Sequence, residues 1–99
     1  MNSILNDRDI AATADRFKAI AHPIRLSIVC LLLEGERTVG DICSVVGTSQ
    51  PNISGHLSQL HRLGLLQARK DANRIFYAIA DQRLANIVSG LRDIYCPAN

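Results

Sequence analysis

With 99 residues, 47% of them hydrophobic, the chain is long enough for one domain around a single modest core and too short for a substrate cleft beside a second lobe. A charged fraction of 20% excludes the disordered and fibrous classes. The net charge of +2 points to no polyanion by itself, but its distribution is uneven. Between Thr48 and Ala80 stand Arg62, Arg69, Lys70 and Arg74 against Asp71 alone, while the rest of the chain holds seven basic and eight acidic residues. The longest apolar run, Ile28 to Leu33, is far below the roughly 20 residues that span a bilayer. Met1 to Ile10 carries acids where a secretory leader has a basic start and an apolar stretch. A cytoplasmic protein with no membrane partner is expected, in which Cys30, Cys43 and Cys96 are thiols by default, and no C-x-x-C pair suggests zinc.

Ile10, Ala14, Phe17 and Ala21 recur at helical spacing opposite Asp9, Asp15, Arg16 and Lys18, which predicts an amphipathic helix from about Arg8 to Ala21. His22-Pro23 ends it, and Pro23 is suited to open a second helix to about Glu34, because proline lacks an N–H that would go unpaired there anyway. This second helix is apolar nearly all round, as a central helix should be. Gly35 stops it. Thr38-Val39-Gly40-Asp41 has the form of a capping box with Asp in place of Glu, and Val39, Ile42, Cys43 and Val46 give a short third helix that Gly47 closes.

Ser49 caps a fourth helix whose buried stripe is Ile53, Leu57, Leu60 and Leu63, ending at Gly64. Leu65 to Lys70 and Arg74 to Ile79 then read as two strands joined by Asp71-Ala72-Asn73, a hairpin with a basic tip. From the cap Asp81, the residues Leu84, Ile87, Val88, Leu91, Ile94 and Tyr95 form a regular apolar seam on a fifth helix. The predicted fold is mainly α: one winged helix-turn-helix domain over residues 1–99, with five helices and a two-stranded wing.

Two short helices joined by Gly47-Thr48, the second with a polar outer face, form the helix-turn-helix pattern. With Ile53, Leu57 and Leu60 turned inward, Asn52, Ser54, Gly55, Ser58 and Gln59 must face outward or flank that face, and Gln50 lies in the first turn. Gln and Asn can pair bidentately with adenine in the major groove, Ser can bond base edges or phosphates, and Gly55 allows close approach. The candidate DNA contacts are Ser49, Gln50, Asn52, Ser54, Gly55, His56 and Ser58 on the helix, with Arg69, Lys70 and Arg74 on the wing. His56 either orients a phosphate contact or packs beside Leu57. His22 is assigned to the helix junction and His61 to the helix surface. A winged-helix interaction module without DNA binding is the rival, but the stretch from Thr48 to Arg62 contains no acid. No nucleophile with a base, carboxylate pair or phosphate loop suggests an enzyme, and no cofactor is expected.

His22-Pro23-Ile24-Arg25, the run from Ser49 to Leu57, and Gly64-Leu65-Leu66 followed by Arg74-Ile75-Phe76-Tyr77 together resemble the ArsR family of repressors over almost the whole chain. The resemblance implies a homodimer held by the first and last helices, an inverted-repeat operator in double-stranded DNA, and derepression by a chemical signal. Phe17, Leu84, Ile87, Leu91 and Ile94 are the expected interface, since on a lone small domain they would form an exposed patch.

Arsenic-sensing members carry a cysteine cluster at the start of the third helix, where this chain has Thr38, Gly40 and Cys43. Zinc-sensing members need Asp and His ligands on the last helix, and Asp81 to Asp93 contains no histidine, so no metal site of either type is expected. The placement of Cys30 and Cys96 is similar to the thiol- and persulfide-sensing branch of the family, as is the terminal run Ile94 to Asn99. That resemblance implies a redox pair responding to small reactive sulfur species or oxidants; a soft metal or arsenic held by thiols is the alternative. Read without it, Cys30 and Cys43 are also ordinary small core residues, whereas Cys96, next to Pro97, has little to pack against.

Overall fold

The computed structural model describes residues 6–96. The elements run α1 (Asp7–Ile20), α2 (Pro23–Leu32), β1 (Arg37–Thr38), α3 (Val39–Val46), α4 (Gln50–Arg62), β2 (Leu66–Asp71), β3 (Arg74–Ile79) and α5 (Gln82–Tyr95). Each helix starts where a side chain takes up a backbone N–H that has no partner within the helix. Asn6 Oδ1 accepts from Asp9 N at 2.8 Å, His22 Nδ1 from Ile24 N at 3.1 Å, and Thr38 Oγ1 from Asp41 N at 3.1 Å. Ser49 Oγ accepts from Asn52 N at 3.3 Å and Asp81 Oδ1 from Arg83 N at 2.8 Å. Gly47 ends α3 in the left-handed conformation, φ 80°, which a side chain would resist. The second helix stops at Leu32, two residues short of the expected Glu34.

α2 is the hub. Its Ile28, Val29 and Leu32 are buried together with Ala19 and Ile20 of α1, Ile42 of α3, Ile53, Leu57 and Leu60 of α4, and Val88 of α5. Leu65 and Leu66 close this core from the start of the wing. Of the inward stripe predicted for the fourth helix, Ile53, Leu57 and Leu60 are buried, while Leu63 stands at the C-cap, half-buried against the core. On α1 the apolar stripe works differently: Ala19 and Ile20 anchor the helix, while Ile10 and Phe17 are each 49% exposed.

The wing holds a third strand that the sequence did not announce. β1 pairs antiparallel with β3, Arg37 opposite Tyr77 and Thr38 opposite Phe76, so the sheet order is β1-β3-β2 and the two-stranded expectation is corrected. A strand of two residues has no periodicity to read, and its partner lies far along the chain. β2 and β3 pair from Leu66 opposite Ile79 to Asp71 opposite Arg74. The hairpin turn is thus Ala72-Asn73 alone, with Ala72 at φ 56°, and Asp71 belongs to the ladder.

Candidate nucleic-acid interface

The turn between α3 and α4 sets the recognition helix against the core on three apolar side chains and leaves the opposite face clear. Gln50, Asn52, Gly55, Ser58 and Gln59 are exposed, while Ser54 and His56 are half-buried on its two flanks. Several polar groups on this helix already have partners: Gln59 Oε1 accepts from Arg62 Nη1 at 3.4 Å, and His56 accepts from Arg25. The Ser49 hydroxyl is taken up by the cap, and Asn52 Nδ2 donates to Thr48 Oγ1 at 3.1 Å, which fixes the amide with its oxygen unused. A Cβ on Gly55 would meet nothing within 4 Å. Packing within the chain therefore does not require glycine there, whereas close approach of an outside group would.

Gln50 lines a groove of about 280 Å³ with Thr38, Val39 and Gly40 at the start of α3 and Asn73, Arg74 and Ile75 at the wing tip. The recognition helix and the basic tip thus open onto one space.

The three wing cations are not equivalent. Arg69 donates from Nε and Nη2 to the two carboxylate oxygens of Glu36 at 2.8 and 2.7 Å, and its guanidinium lies 4.3 Å from the centre of the Phe76 ring. Its hydrogen bonds hold the Glu36 carboxyl below the usual carboxylate range, and Asp71 adds a looser contact at 3.8 Å. Lys70 and Arg74 form no ion pair among the described residues, although Arg74 also leans on Phe76 at 5.2 Å. Sequence spacing could not reveal the Glu36 contact, which bridges 33 positions.

A second contact unforeseen in the sequence joins α2 to the flank of α4. Arg25 Nε donates to His56 Nδ1 at 2.9 Å, and the rings of His22 and His56 lie 4.9 Å apart. Burial, the neighbouring Arg25 charge and His22 all push the His56 pKa down, so near pH 7 its imidazole is neutral and able to accept.

The cysteines separate by environment. Cys43 is half-buried on α3 against the core. Cys30, half-buried on α2, has its thiol pKa raised, chiefly by burial; Arg92 opposes the shift and Cys96 adds to it. α5, which carries Arg92, packs against α2, and Cys96, exposed just past its end, is near enough to act on Cys30 electrostatically. The remainder of the terminal run, Pro97 to Asn99, lies outside the described residues.

The α5 seam splits between two faces. Val88 is buried and Leu84 packs on the core, while Ile87, Leu91 and Ile94 are 47%, 40% and 68% exposed. Phe17, Ile20, Leu84 and Ile87 line a groove of about 360 Å³ between α1 and α5.

A short helix, a glycine-bearing turn, a second helix with a polar face and a basic hairpin beside its first turn define a winged helix-turn-helix DNA-binding domain. The chain belongs to the ArsR family: residues 22–68 match the model described as "Bacterial regulatory protein, arsR family". The Biofilm growth-associated repressor of Xylella fastidiosa is 36% identical over 83 residues, covering 84% of this chain and 73% of the relative. The transcriptional activator HlyU of Vibrio cholerae is 35% identical over 99 residues, covering 100% of this chain and 92% of its own. A solved HlyU structure superposes with a TM-score of 0.86 at 34% identity over 92% of this chain and 99% of that one, and HlyU has also been solved in a form described as reduced. A domain from Mycobacterium bovis, described as homodimeric, superposes with a TM-score of 0.80 at 31% identity over 94% of this chain and 89% of that one. The protein is a DNA-binding transcriptional regulator of this family, whose members are not enzymes. No helix among the described residues is long and apolar enough to cross a membrane.

Proposed function

We propose that the protein is a homodimeric repressor that leaves its operator when Cys30 and Cys96 become linked. The observation that carries this reading is the packing of α5 on α2, with one thiol half-buried on α2 and the other exposed just past the end of α5. The relatives named for repression and for a reduced state support it.

In the DNA complex Gln50, Asn52, Ser54 and Ser58 read base edges across Gly55, and Lys70 and Arg74 hold phosphates. Ser49 and His56 act by fixing the helix and its neighbours. Arg69 contributes only when it parts from Glu36. The dimer forms through the apolar faces of α1 and α5, where Phe17, Ile87, Leu91 and Ile94 stay 40–68% exposed among the described residues. The homodimeric M. bovis domain supports that assembly.

The chemistry starts at Cys96, the more accessible thiol. An organic hydropersulfide passes its outer sulfur to the Cys96 thiolate, giving a Cys96 persulfide and, after proton uptake, the organic thiol. Cys30 then attacks the inner sulfur of Cys96 and expels hydrogen sulfide, which leaves a disulfide. A direct bridge needs Cα atoms within about 7 Å; where a second organic hydropersulfide has also persulfidated Cys30, the outer sulfur of Cys30 attacks the inner sulfur of Cys96, expels hydrogen sulfide and leaves a longer three-sulfur bridge. Linking the two helices favours a dimer whose recognition helices miss successive major grooves, about 34–36 Å apart.

The test compares single variants in operator binding before and after an organic persulfide. Cys30→Ser and Cys96→Ser should bind DNA and no longer release it, and Cys43→Ser should respond like the wild type. If Cys43→Ser alone were unresponsive, the thiol pair would be wrong.

A further inference from the structure

We infer that Arg25, held in place by His56, is a DNA phosphate clamp on the flank of the recognition helix. The inference rests on the DNA-binding reading and extends it to a residue on α2 that lies outside the helix-turn-helix.

Three observations converge on Arg25. First, it is half-buried and has no carboxylate partner among the described residues, whereas Arg69 is neutralised by Glu36 at 2.7 Å. A partly buried, uncompensated guanidinium is costly unless an anion meets it.

Second, Arg25 stands in the first turn of α2, which contains no acid. The positive end of a helix dipole disfavours a cation there and favours an anion. The first turn of α4 is likewise without an acid, so no side chain of either helix start compensates the charge.

Third, the guanidinium is oriented by a neutral group. His56 Nδ1 takes the Nε–H at 2.9 Å, and His22 lies against His56 with ring centres 4.9 Å apart while its own Nδ1 caps α2. A carboxylate in place of His56 would cancel the charge, but the imidazole fixes the direction of the side chain and leaves the charge intact. The two terminal amino groups of Arg25 remain available, in the planar fork that suits a phosphate. His56 rises from the same helix as Asn52 and Ser58, so a phosphate held here borders the groove that α4 reads. His56 is a positioning residue and Arg25 touches the phosphate.

The experiment uses two labelled duplexes of equal length: one selected from a random library with the wild-type protein, and one of random sequence. Affinity is measured against salt concentration. Arg25→Gln should weaken binding to both duplexes by similar factors and lower the salt slope by about 1 per protomer, because one phosphate contact releases about one counterion. Arg25→Lys keeps the charge and should keep the slope. His56→Leu should weaken binding in the wild-type background and change little in the Arg25→Lys background, where there is no Nε–H to orient; a merely structural His56 would weaken both alike. Thermal melting of each variant separates lost contact from lost fold. An unchanged slope for Arg25→Gln, with Gln50→Ala still losing discrimination between the duplexes, would overturn the clamp while leaving the recognition helix in place. Failure of the wild type to bind either duplex would remove both readings together.

Discussion

Glu36, in the segment between α2 and β1, grips Arg69 of β2 through both carboxylate oxygens, at 2.8 and 2.7 Å. The contact ties the wing to the body of the domain and cancels one of the three positive charges the sequence places there. Exposed ion pairs add little stability, so its consequence lies in electrostatics. Glu36→Gln should leave the fold intact, tighten binding to random-sequence DNA and steepen the salt dependence, since a released Arg69 becomes a third wing cation. Equal salt slopes for the variant and the wild type would show that the pair does not limit the charge reaching DNA.

Gln50 and Arg74 line one groove but should fail differently when removed. Gln50→Ala should cost about 1–3 kcal/mol at specific sites and little on random sequence, as loss of a base contact does. Arg74→Ala should weaken all sequences alike and flatten the salt dependence. Fluorescence anisotropy with matched and random duplexes separates the two patterns, and a uniform loss for Gln50→Ala would remove it from the reading set.

The uncovered face of α5 predicts dimer loss by a single charge. Leu91→Glu, at a position already 40% exposed in the protomer, should spare the core and yield monomers at micromolar concentration in sedimentation. Operator binding should fall with it, since two half-sites are then no longer joined. A wild-type monomer under the same conditions would refute the assembly.

His56 gives the stability a pH dependence. Burial, Arg25 and His22 lower its pKa in the folded protein below the ordinary 6.5, so the unfolded chain binds the proton more readily. The resulting contribution is complete above about pH 6.5 and is lost as pH falls through the folded value. Urea midpoints should therefore drop more between pH 7 and pH 5 for the wild type than for His56→Gln, whose amide oxygen can still accept from Arg25. Parallel profiles would assign the dependence to other groups.

Helices and caps were legible because they are written locally. Thr38, Ser49, Asp81 and Gly47 each act within four residues of their own position, and the stripe Ile53, Leu57, Leu60 repeats at the helical period. The polar face of α4 followed from that stripe by exclusion. What stayed hidden depends on distance along the chain. β1 is defined only by Phe76 and Tyr77, Arg69 by Glu36, and Arg25 by His56 across 31 positions. The seam on α5 was visible, but its division into Val88 inside and Ile87, Leu91 and Ile94 outside needed the packing of α2 to decide it.

α2 has a further consequence as a connecting element. It carries Arg25 in its first turn, next to the recognition helix, and Cys30 near its other end, facing α5. The two residues are separated by about 7.5 Å of helical rise, with Ile28 and Val29 clamped in the core between them. A bond between Cys30 and Cys96 would therefore bear on the same short helix that holds Arg25 beside the recognition helix. The proposed chemical signal and the proposed backbone contact would then share one short, core-anchored element.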